Sequence, residues 1–436
     1  MSDRAQEMLQ FIEENDIKFI RLAFCDIFGV PKNIAIMASQ LRAAMERGVS
    51  FDASAIRGFS NVAESDLFLF PDPDTFSLLP WRPSEGCVGR FYCNICYPDG
   101  TPFEGDMRRL LRQTMRRAAQ KGFSFQVGPE SEFYLFRTGE DGSPMLAPHD
   151  HAGYFDIAPV DRGENIRREI CLVLEEMGVQ PERSHHEHGP GQNEIDFHCS
   201  SPQRAADDLM TLRTAVKAIG AQSGLFASFL PKPLKQSSGS GLHINLSLYR
   251  DGRNLFEEFR TSPDPDAQAF LAGILAHMRE ITAVTNPLPG SYDRFGSCEA
   301  PVAVNWSFEN RSTLVRVPAA RGSDCRVEVR SPDPSCNPYS TILLLIEAGL
   351  DGIERGLPLP PACGGSAYDA PCDMAQRLPA SLSEALACTR GSEFVRRVLP
   401  GQMLESYLRV KSEEAARYEA APDKIKYEME HYFHMV

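Results

Sequence analysis

Three segments of this chain alternate between apolar and polar residues, and each carries ionisable side chains on its polar face. Residues two apart on a strand point the same way, so Glu130 and Glu132 share one face of segment 129–136, while Phe133 and Leu135 occupy the other. Two further segments have polar faces formed by His243, Asn245 and Ser247 in residues 241–247 and by Arg326, Glu328 and Arg330 in residues 326–330. Such alternation is typical of antiparallel strands that pack one face on a core.

A fourth segment adds two carboxylates, because Glu187 and Glu194 flank a Gly/Pro turn. A solvated polar face is the simpler explanation for any one segment, but together they offer a set of metal-ligand candidates: Glu130, Glu132, Glu187, Glu194, His243 and Glu328. Carboxylate oxygens with few nitrogens suit Mg²⁺ or Mn²⁺ better than Zn²⁺. Arginines beside such a metal suit phosphate and carboxylate substrates, which they bind through paired hydrogen bonds.

Charge and hydropathy exclude several partners. The 436 residues carry a formal net charge of −14, so the chain lacks the basic surface expected for binding nucleic acid or an anionic membrane. Residues 1–15 are predicted to form a short amphipathic helix without the basic start and apolar run of a signal peptide. The longest apolar run, 342–346, is too short to span a bilayer. We therefore expect a soluble cytoplasmic protein.

The twelve cysteines are scattered along the chain, and we expect them to be free thiols. Cys93 and Cys96 form a single C-x-x-C in an apolar stretch that is predicted to be a strand. One such pair does not make a tetrahedral zinc site, so these two residues are predicted to be core thiols.

A turn-rich stretch at residues 97–102 divides the chain into two predicted domains, 1–100 and 101–436. In the first, strands are expected at 19–24, 33–37 and 89–97, with a helix at 39–47. In the second, strands alternate irregularly with helices predicted at 106–120, 164–177, 204–222, 266–284, 337–355, 381–387 and 403–420.

Nine short motifs follow one another along the second domain. They are GPESEF at 128–133, HHE at 185–187, GQNEIDF at 191–197, KPL at 232–234, GSGLH at 239–243, EAP at 299–301, NRS at 310–312, RVP at 316–318 and RVEVRSPDP at 326–334. FCDIFGV at 24–30 and FDAS at 51–54 precede them. This ordered set, which extends from about residue 17 to 418, resembles the glutamine synthetase family, in particular its type I bacterial members.

The resemblance implies an α+β fold, with an N-terminal β-grasp-like domain and a large catalytic domain of curved antiparallel sheet and surrounding helices. It also implies that Asp52 serves the site of a neighbouring subunit. The active unit is therefore expected to be a homo-oligomer, a dodecamer of two hexameric rings with sites between subunits.

The resemblance also implies a role for each candidate site residue. One metal would be held by Glu132, Glu187 and Glu194, and a second, which bridges the ATP phosphates, by Glu130, His243 and Glu328. Glutamate would be bound by Gly239, Arg294 and Arg330, and the phosphates and nucleotide by Arg311, Arg316 and Arg326. The ammonium pocket would be formed by Asp52, Tyr154, Glu187 and Glu299. Catalytic roles fall to Asp52, Glu299 and Arg311, with Mg²⁺ or Mn²⁺ as cofactor.

The implied reaction is ATP-dependent ligation of ammonia to the γ-carboxylate of L-glutamate, giving glutamine, ADP and phosphate. A carboxylate does not react with ammonia without activation, and phosphorylation to γ-glutamyl phosphate supplies a leaving group. Positive charge aimed at the moving phosphoryl group favours that step. A carboxylate base deprotonates ammonium, and a closing flap protects the acyl phosphate from water.

Three departures from the family pattern lie near glutamate and the amine. The flap segment 294–299 (RFGSCE) is one residue shorter than the family's RLVPGYE and lacks its proline. SGSG at 238–241 replaces NGSG, and DASA at 52–55 replaces DGSS. The alternative is therefore a γ-glutamylamide or γ-glutamylpolyamine synthetase, which would share the phosphorylation step and use an organic amine.

Two other classes of protein are disfavoured. A zinc hydrolase is suggested by His185, His186 and His188, but the chain has no H-E-x-x-H motif and its candidate carboxylates outnumber these histidines; instead, His185 and His186 are expected to be structural. A catalytically silent relative would have lost a metal glutamate or a substrate arginine, and none is missing.

Two positions bear on regulation. Tyr368 lies near where some relatives carry an adenylylated tyrosine, although a surface tyrosine is the simpler interpretation. Asn61 stands where other relatives carry a regulatory arginine, so that feedback mode is not expected.

Overall fold

The computed structural model describes residues 3–59, 65–82, 85–296, 298–369 and 376–436, so that Asn61 lies outside the described residues. Helix α1 (Asp3–Glu14) precedes a six-stranded sheet of order β2-β1-β6-β4-β3, with β5 paired to β6. Its strands are β1 (Phe19–Cys25), β2 (Pro31–Met37), β3 (Val49–Asp52), β4 (Asp66–Pro71), β5 (Ser77–Leu78) and β6 (Val88–Cys96). The central strands β1 and β6 are parallel, and helix α2 (Leu41–Arg47) connects β2 to β3.

A second sheet of ten strands has the order β14-β15-β16-β12-β7-β10-β9, and β8, β11 and β13 pair at its margins. Its strands are β7 (Phe123–Thr138), β8 (Pro144–Pro148), β9 (Pro181–His186), β10 (Gln192–Phe197), β11 (Leu225–Ser228), β12 (Leu242–Arg250), β13 (Arg253–Asn254), β14 (Trp306–Phe308), β15 (Val315–Val317) and β16 (Val327–Val329). All pairs except β14 with β15 are antiparallel.

Helices surround this sheet and enclose a common core. They are α3 (Met107–Gln120), α4 (Glu164–Glu176), α5 (Pro202–Gln222), α6 (Pro265–Thr285), α7 (Pro338–Arg355), α8 (Leu382–Gly391), α9 (Glu393–Val398), α10 (Gly401–Ala420) and α11 (Lys424–His431). Helices α6 and α7 pack so closely that a Cβ atom on Gly273 would lie 2.1 Å from the Ala348 carbonyl oxygen. Of the helices described, none combines the length and the apolar character needed to cross a membrane.

The predicted α+β class is confirmed, and the predicted helices agree with the observed ones to within a few residues, with two corrections. The helix expected at 39–47 divides into a 3₁₀ turn (Ala38–Gln40) and α2. The helix expected at 381–387 continues to Gly391, since no helix-breaking residue follows Ala387 before that glycine. The predicted helix starts agree well with the observed ones because capping side chains can be recognised in the sequence. At the start of α3, for example, Asp106 accepts a hydrogen bond from the Arg109 amide.

A buried polar network connects the two sheets through helices α3 and α5. Arg108 donates from Nε to Asp207 Oδ1 at 2.9 Å and from Nη1 to Asp72 Oδ2 at 2.9 Å. The Tyr339 hydroxyl donates to Asp207 Oδ1 at 2.6 Å. Arg108 is only 5% exposed, so its charge is buried but is balanced by two carboxylates.

Candidate active site

Strand register brings the polar faces of the large sheet together. His243 on β12 lies opposite Glu130 on β7, and Glu130 lies opposite Asp196 on β10. Two residues further along β7, Glu132 lies opposite Glu194 on β10. Side chains directly opposite on antiparallel strands lie about 4.5–5.5 Å apart at Cβ, so pairing alone assembles most of the predicted metal ligands.

The first cluster consists of Glu130, His243 and Glu328, whose ligand atoms all lie within 4.8 Å of one another. His243 Nδ1 is 3.2 Å from Glu130 Oε2 and 3.7 Å from Glu328 Oε1. Burial alone would raise the pKa of Glu130, but hydrogen bonds from His243 and Asn245 lower it to about 2. This cluster therefore presents ionised carboxylate and imidazole donors, which suits a divalent cation.

The second cluster combines Glu187 and Glu194 with His185, again with ligand atoms within 4.8 Å of one another. Burial and the nearby Glu132 carboxylate raise the pKa of Glu187 to about 8. Burial, Asp196 and Glu132 raise the pKa of Glu194 as well. Carboxylates crowded in this way repel one another, and a bound cation would relieve the repulsion.

Glu132, the third predicted ligand of this metal, lines the same pocket. Its Oε2 accepts hydrogen bonds from the Gln192 side-chain amide at 2.7 Å and from the Gly241 backbone amide at 3.0 Å. These donors hold the carboxylate in a fixed orientation beside Glu187 and Glu194.

Arginines line the same pocket and contact its carboxylates. Arg330 and Arg316 each form an ion pair with Glu328. Arg330 also lies 3.4 Å from Glu299 Oε2, and Arg311 lies 3.6 Å from the same oxygen. The pocket, about 240 Å³ in volume, thus combines a cation-attracting wall with an anion-attracting one.

Of the three predicted glutamate-binding residues, Gly239 and Arg294 lie side by side, and Arg330 is the ion-pair partner of Glu328. Gly239 and Arg294 line the pocket, and Arg294 donates to the Ser331 carbonyl oxygen at 2.8 Å. A Cβ atom on Gly239 would lie 2.3 Å from Arg294 Cγ. Glycine is therefore required there for the arginine to reach its position.

Arg326 lies where the pocket opens into an adjoining cleft of about 520 Å³. Its Nε donates to Asn245 Oδ1 at 2.9 Å, which fixes the guanidinium group over β12. The cleft also includes Tyr249, Cys199 and Asp324, and it shares Glu130 with the metal-ligand cluster.

The flap residue Glu299 is 44% exposed at its side chain and has a left-handed backbone, with φ of 64°. Cys298 before it is also left-handed, with φ of 48°. Such conformations are unusual outside glycine. The Tyr368 hydroxyl donates to the Ala300 carbonyl oxygen at 3.2 Å, so this predicted surface tyrosine contacts the backbone directly after the flap segment.

The predicted ammonium pocket is only partly assembled within one chain. Tyr154 lines the catalytic pocket and stacks between Phe155 and His188, with ring centroids 3.9 and 4.5 Å away. Asp52, in contrast, lies exposed at the end of β3 in the other sheet, and among the described residues it is not part of this pocket. Its carboxylate accepts hydrogen bonds from the Ser54 hydroxyl and amide, which lower its pKa.

Of the two histidines expected to be structural, His186 is buried, with Nε2 3.0 Å from Asp150 Oδ1. Asp150 Oδ1 also accepts from the Gly191 amide at 2.9 Å, which holds the turn between Glu187 and Glu194. His185, in contrast, lies within 3.6 Å of both Glu187 and Glu194, as a ligand would.

Sequence reasoning missed several pocket residues, among them Phe155, Arg183 and Asp196. Alternation contained a signal for two of them, since Asp196 is two residues beyond Glu194 and Arg183 two before His185. Burial raises the pKa of Asp196 to about 6, and this carboxylate interacts with Glu130 and Glu194 of the two metal-ligand clusters.

The pocket brings candidate metal ligands and arginines together on the larger, antiparallel sheet, and the smaller six-stranded sheet precedes it in the chain. This arrangement defines a two-domain enzyme that acts on anionic substrates. The chain belongs to the glutamine synthetase family. Residues 16–98 match the family's beta-grasp domain, and residues 104–431 match its catalytic domain.

Similar proteins agree with this assignment. The chain is 44% identical to a glutamine synthetase of Methanosarcina mazei over 423 residues, which is 95% of each chain. It is also 44% identical to a glutamine synthetase of Clostridium saccharobutylicum over 418 residues, 94% of each. Among solved structures, a GmaS/ADP complex matches with a TM-score of 0.86 and 28% identity, covering 99% of each chain.

Proposed function

We propose that this protein ligates ammonia to the γ-carboxylate of L-glutamate, with ATP as the source of energy. The γ-phosphoryl group of ATP passes to the glutamate carboxylate, giving ADP and γ-glutamyl phosphate. Ammonia then forms the C–N bond as phosphate leaves and the displaced proton goes to a base. The observation that carries the proposal is the meeting of two carboxylate clusters with a wall of arginines in one pocket.

The donor set fits divalent metal, with Mg²⁺ or Mn²⁺ as the proposed ions. Glu130, His243 and Glu328 would hold one ion, and Glu132, Glu187 and Glu194 a second, with His185 close to the latter two. When bound, the ions would neutralise phosphate charge and act as Lewis acids on the phosphoryl oxygens.

The arginines orient the anionic groups. Arg311 and Arg316 face the proposed path of the phosphoryl group, and Arg330 lies between Glu328 and Glu299. Fixed positive charge of this kind is worth most where the reaction gathers negative charge. Arg294, held against the Ser331 carbonyl, and Gly239 would bind the amino-acid end of glutamate, and the cleft beside Arg326 would take the nucleotide.

Carboxylates and an aromatic ring would form the amine side of the pocket. Glu187 lines this side of the pocket, and a bound cation that keeps its carboxylate ionised would leave it able to accept a proton from ammonium. Tyr154 and the flap carboxylate Glu299 line the same space. Asp52 completes this pocket only if it comes from a neighbouring subunit, and we propose a dodecamer of two hexameric rings in the cytoplasm.

We also propose a domain boundary at residues 100/101. The boundary falls in the turn between β6, which ends at Cys96, and α3, which begins at Met107.

Sedimentation tests the proposal that Asp52 serves a neighbouring subunit. A protein that sediments as a monomer and is fully active would contradict this shared site.

An organic amine is the second candidate acceptor, favoured by one observation. The wall made by Tyr154 and Phe155, with Phe155 58% exposed, provides an aromatic surface that could cover an alkyl ammonium group. The shortened flap at residues 294–299 would leave room for it.

The deciding experiment measures phosphate release from ATP with Mg²⁺ and glutamate, in parallel with ammonium, short alkylamines, ethanolamine and polyamines. The highest kcat/KM with ammonium supports a glutamine synthetase. A higher value with an organic amine, and poor use of ammonium, would replace it with a γ-glutamylamide synthetase. No glutamate-dependent phosphate release with any acceptor would overturn both.

A further inference from the structure

A second cavity of about 390 Å³ lies between the two parts of the molecule and, within the described chain, shares no lining residue with the catalytic pocket. One wall comes from the turn at residues 28–32 and from residues 55–57, which directly follow the Asp52 loop. Helices α5 and α10 and the final residues 432–436 form the other. Its volume falls in the range of small-molecule sites, about 300–1,000 Å³.

The charge of this interdomain cavity is unbalanced. Its cationic lining residues are Lys32, Arg57, Arg213, Lys217 and Lys411, and its carboxylate side chains are Asp26 and Glu414. Five positive side-chain charges against two negative ones leave an excess of three. The cavity therefore attracts an anion.

Among the described residues, two of the five cationic side chains, Arg213 and Lys217, donate hydrogen bonds to backbone carbonyl groups only. Arg213, 9% exposed, donates to the Cys336 carbonyl at 2.5 Å and to the Gly29 carbonyl at 3.4 Å. Lys217 Nζ, one helical turn further along α5, donates to the Met435 carbonyl at 3.1 Å. In the described part of the chain no carboxylate oxygen lies within 4.0 Å of either, so both charges are available to a ligand.

Two further observations support a ligand here. Burial, with the positive charge of Arg213, lowers the pKa of Lys217 to about 8, as expected for an ammonium group that lacks a counter-ion. The Tyr432 side chain is 6% exposed and interacts with the nearby Tyr427 side chain, but within the described residues its hydroxyl makes no hydrogen bond of good geometry. Buried polar groups usually have partners, and Tyr432 lines the cavity.

We propose that this cavity binds a small organic anion through a carboxylate or phosphate group placed between Arg213 and Lys217. Phe28, Ile56 and Leu288 supply apolar walls for the body of such a ligand. The cavity joins residues 55–57 to the catalytic domain, so occupancy would brace the segment that carries Asp52. The site is separate from the catalytic pocket, and its existence does not depend on which amine the enzyme uses.

The test is thermal unfolding of the full-length, metal-free protein titrated with two kinds of probe, glutarate for carboxylates and glycerol phosphate for phosphates. Sodium chloride at equal ionic strength is the reference. Lys217→Met removes the proposed anchor, and Lys217→Arg restores the charge if the methionine variant is poorly folded. Lys121→Met, which removes a surface lysine paired with Glu354, is the matched control. Arg316→Gln removes one of the arginines that line the catalytic pocket and so weakens binding of the probes there.

A saturable rise in the unfolding midpoint supports the proposal if at least tenfold more probe is needed in Lys217→Met, while Lys217→Arg, Lys121→Met and Arg316→Gln respond like the wild type. The probe that binds more tightly identifies the head group. The proposal is overturned if neither probe shifts the midpoint beyond the chloride reference, as would happen if a neighbouring copy filled the cavity. It is also overturned if Lys217→Met responds like the wild type, or if the response disappears only in Arg316→Gln.

Discussion

Two regions of this molecule bury charged side chains, and they do so in opposite ways. In the network between the sheets, Arg108 is held by Asp72 and Asp207, and Tyr339 completes the hydrogen bonds of Asp207. In the catalytic pocket, Glu187 and Glu194 are crowded by other carboxylates, and both have raised pKa values.

The difference separates a structural role from a catalytic one. In a balanced buried network, each charge already has a partner of opposite sign. Removing one partner therefore leaves an uncompensated buried charge. An unbalanced cluster is unfavourable in the free protein and becomes favourable only when a cation binds. Changes in the network are therefore expected to lower stability, whereas changes in the cluster are expected to impair function and, without metal, to raise stability.

The largest effect is expected for Glu328→Ala, which removes a proposed metal ligand and the ion-pair partner of two arginines. Turnover of ATP should fall at least ~10³-fold, equivalent to about 4 kcal/mol. Glu328→Gln, which keeps the shape of the side chain, should lose as much activity with less effect on folding. Steady-state phosphate release measures both, with the surface variant Glu354→Gln as control. Retention of a tenth of the wild-type rate in both Glu328 variants would contradict the assignment.

Asp52→Ala should act on the amine step alone. Amide formation is expected to fall by about 10²–10⁴-fold, the usual contribution of a general base. Acyl phosphate, trapped with the uncharged nucleophile hydroxylamine, should still form, and the unfolding midpoint should be unchanged because the side chain is exposed. An equal loss of acyl phosphate in Asp52→Ala and Glu328→Ala would refute this division of roles.

Arg108→Met tests the balanced region. It leaves the buried Asp207 and the partly buried Asp72 without their shared cation, which should cost about 3–5 kcal/mol and lower the unfolding midpoint. Activity per folded molecule should be retained, because Arg108 is not part of the catalytic pocket. Arg109→Met, which removes a half-buried neighbour outside the network, is the matched control. A midpoint equal to that of this control would mean that the network contributes little.

Metal binding should depend on pH in a defined direction. Below a pH of about 8 Glu187 holds a proton that the metal must displace, so affinity should increase as the pH rises towards that value and then level off. Mg²⁺ at 100 times its Kd should stabilise the protein by about 2.7 kcal/mol, and the same concentration should do less at pH 6.5 than at pH 8.5. Unfolding with and without EDTA at both pH values provides the check; an equal metal effect would oppose it.

The smallest effect is expected for Glu187→Gln in the metal-free protein. The pKa of Glu187 is raised from its ordinary 4.5 to about 8, so its ionisation destabilises the folded state increasingly between those values. Glutamine should therefore stabilise the metal-free protein by about 0.5–2 kcal/mol at pH 9 and leave it unchanged at pH 4.5. A less stable variant at pH 9 would mean that hydrogen bonds to Glu187 outweigh the repulsion.

The sequence by itself determined the local features. Period-two alternation placed Glu130 and Glu132 on one face, and capping residues such as Asp106 marked helix starts. These signals extend over a few residues, so the chain carries them without reference to the fold. The order of the motifs identified the family.

Only the tertiary structure decided which faces meet. The register that sets His243 opposite Glu130 joins residues more than a hundred positions apart, and a shift of one residue would turn every side chain to the other face. Burial and proximity, which no local pattern records, raise the pKa of Glu187 and bring Arg183 and Asp196 into the pocket. The same reason explains why the sequence did not predict the cationic cavity behind the Asp52 loop. Its walls come from seven separated segments, and their charges act together only once the fold encloses them in one space.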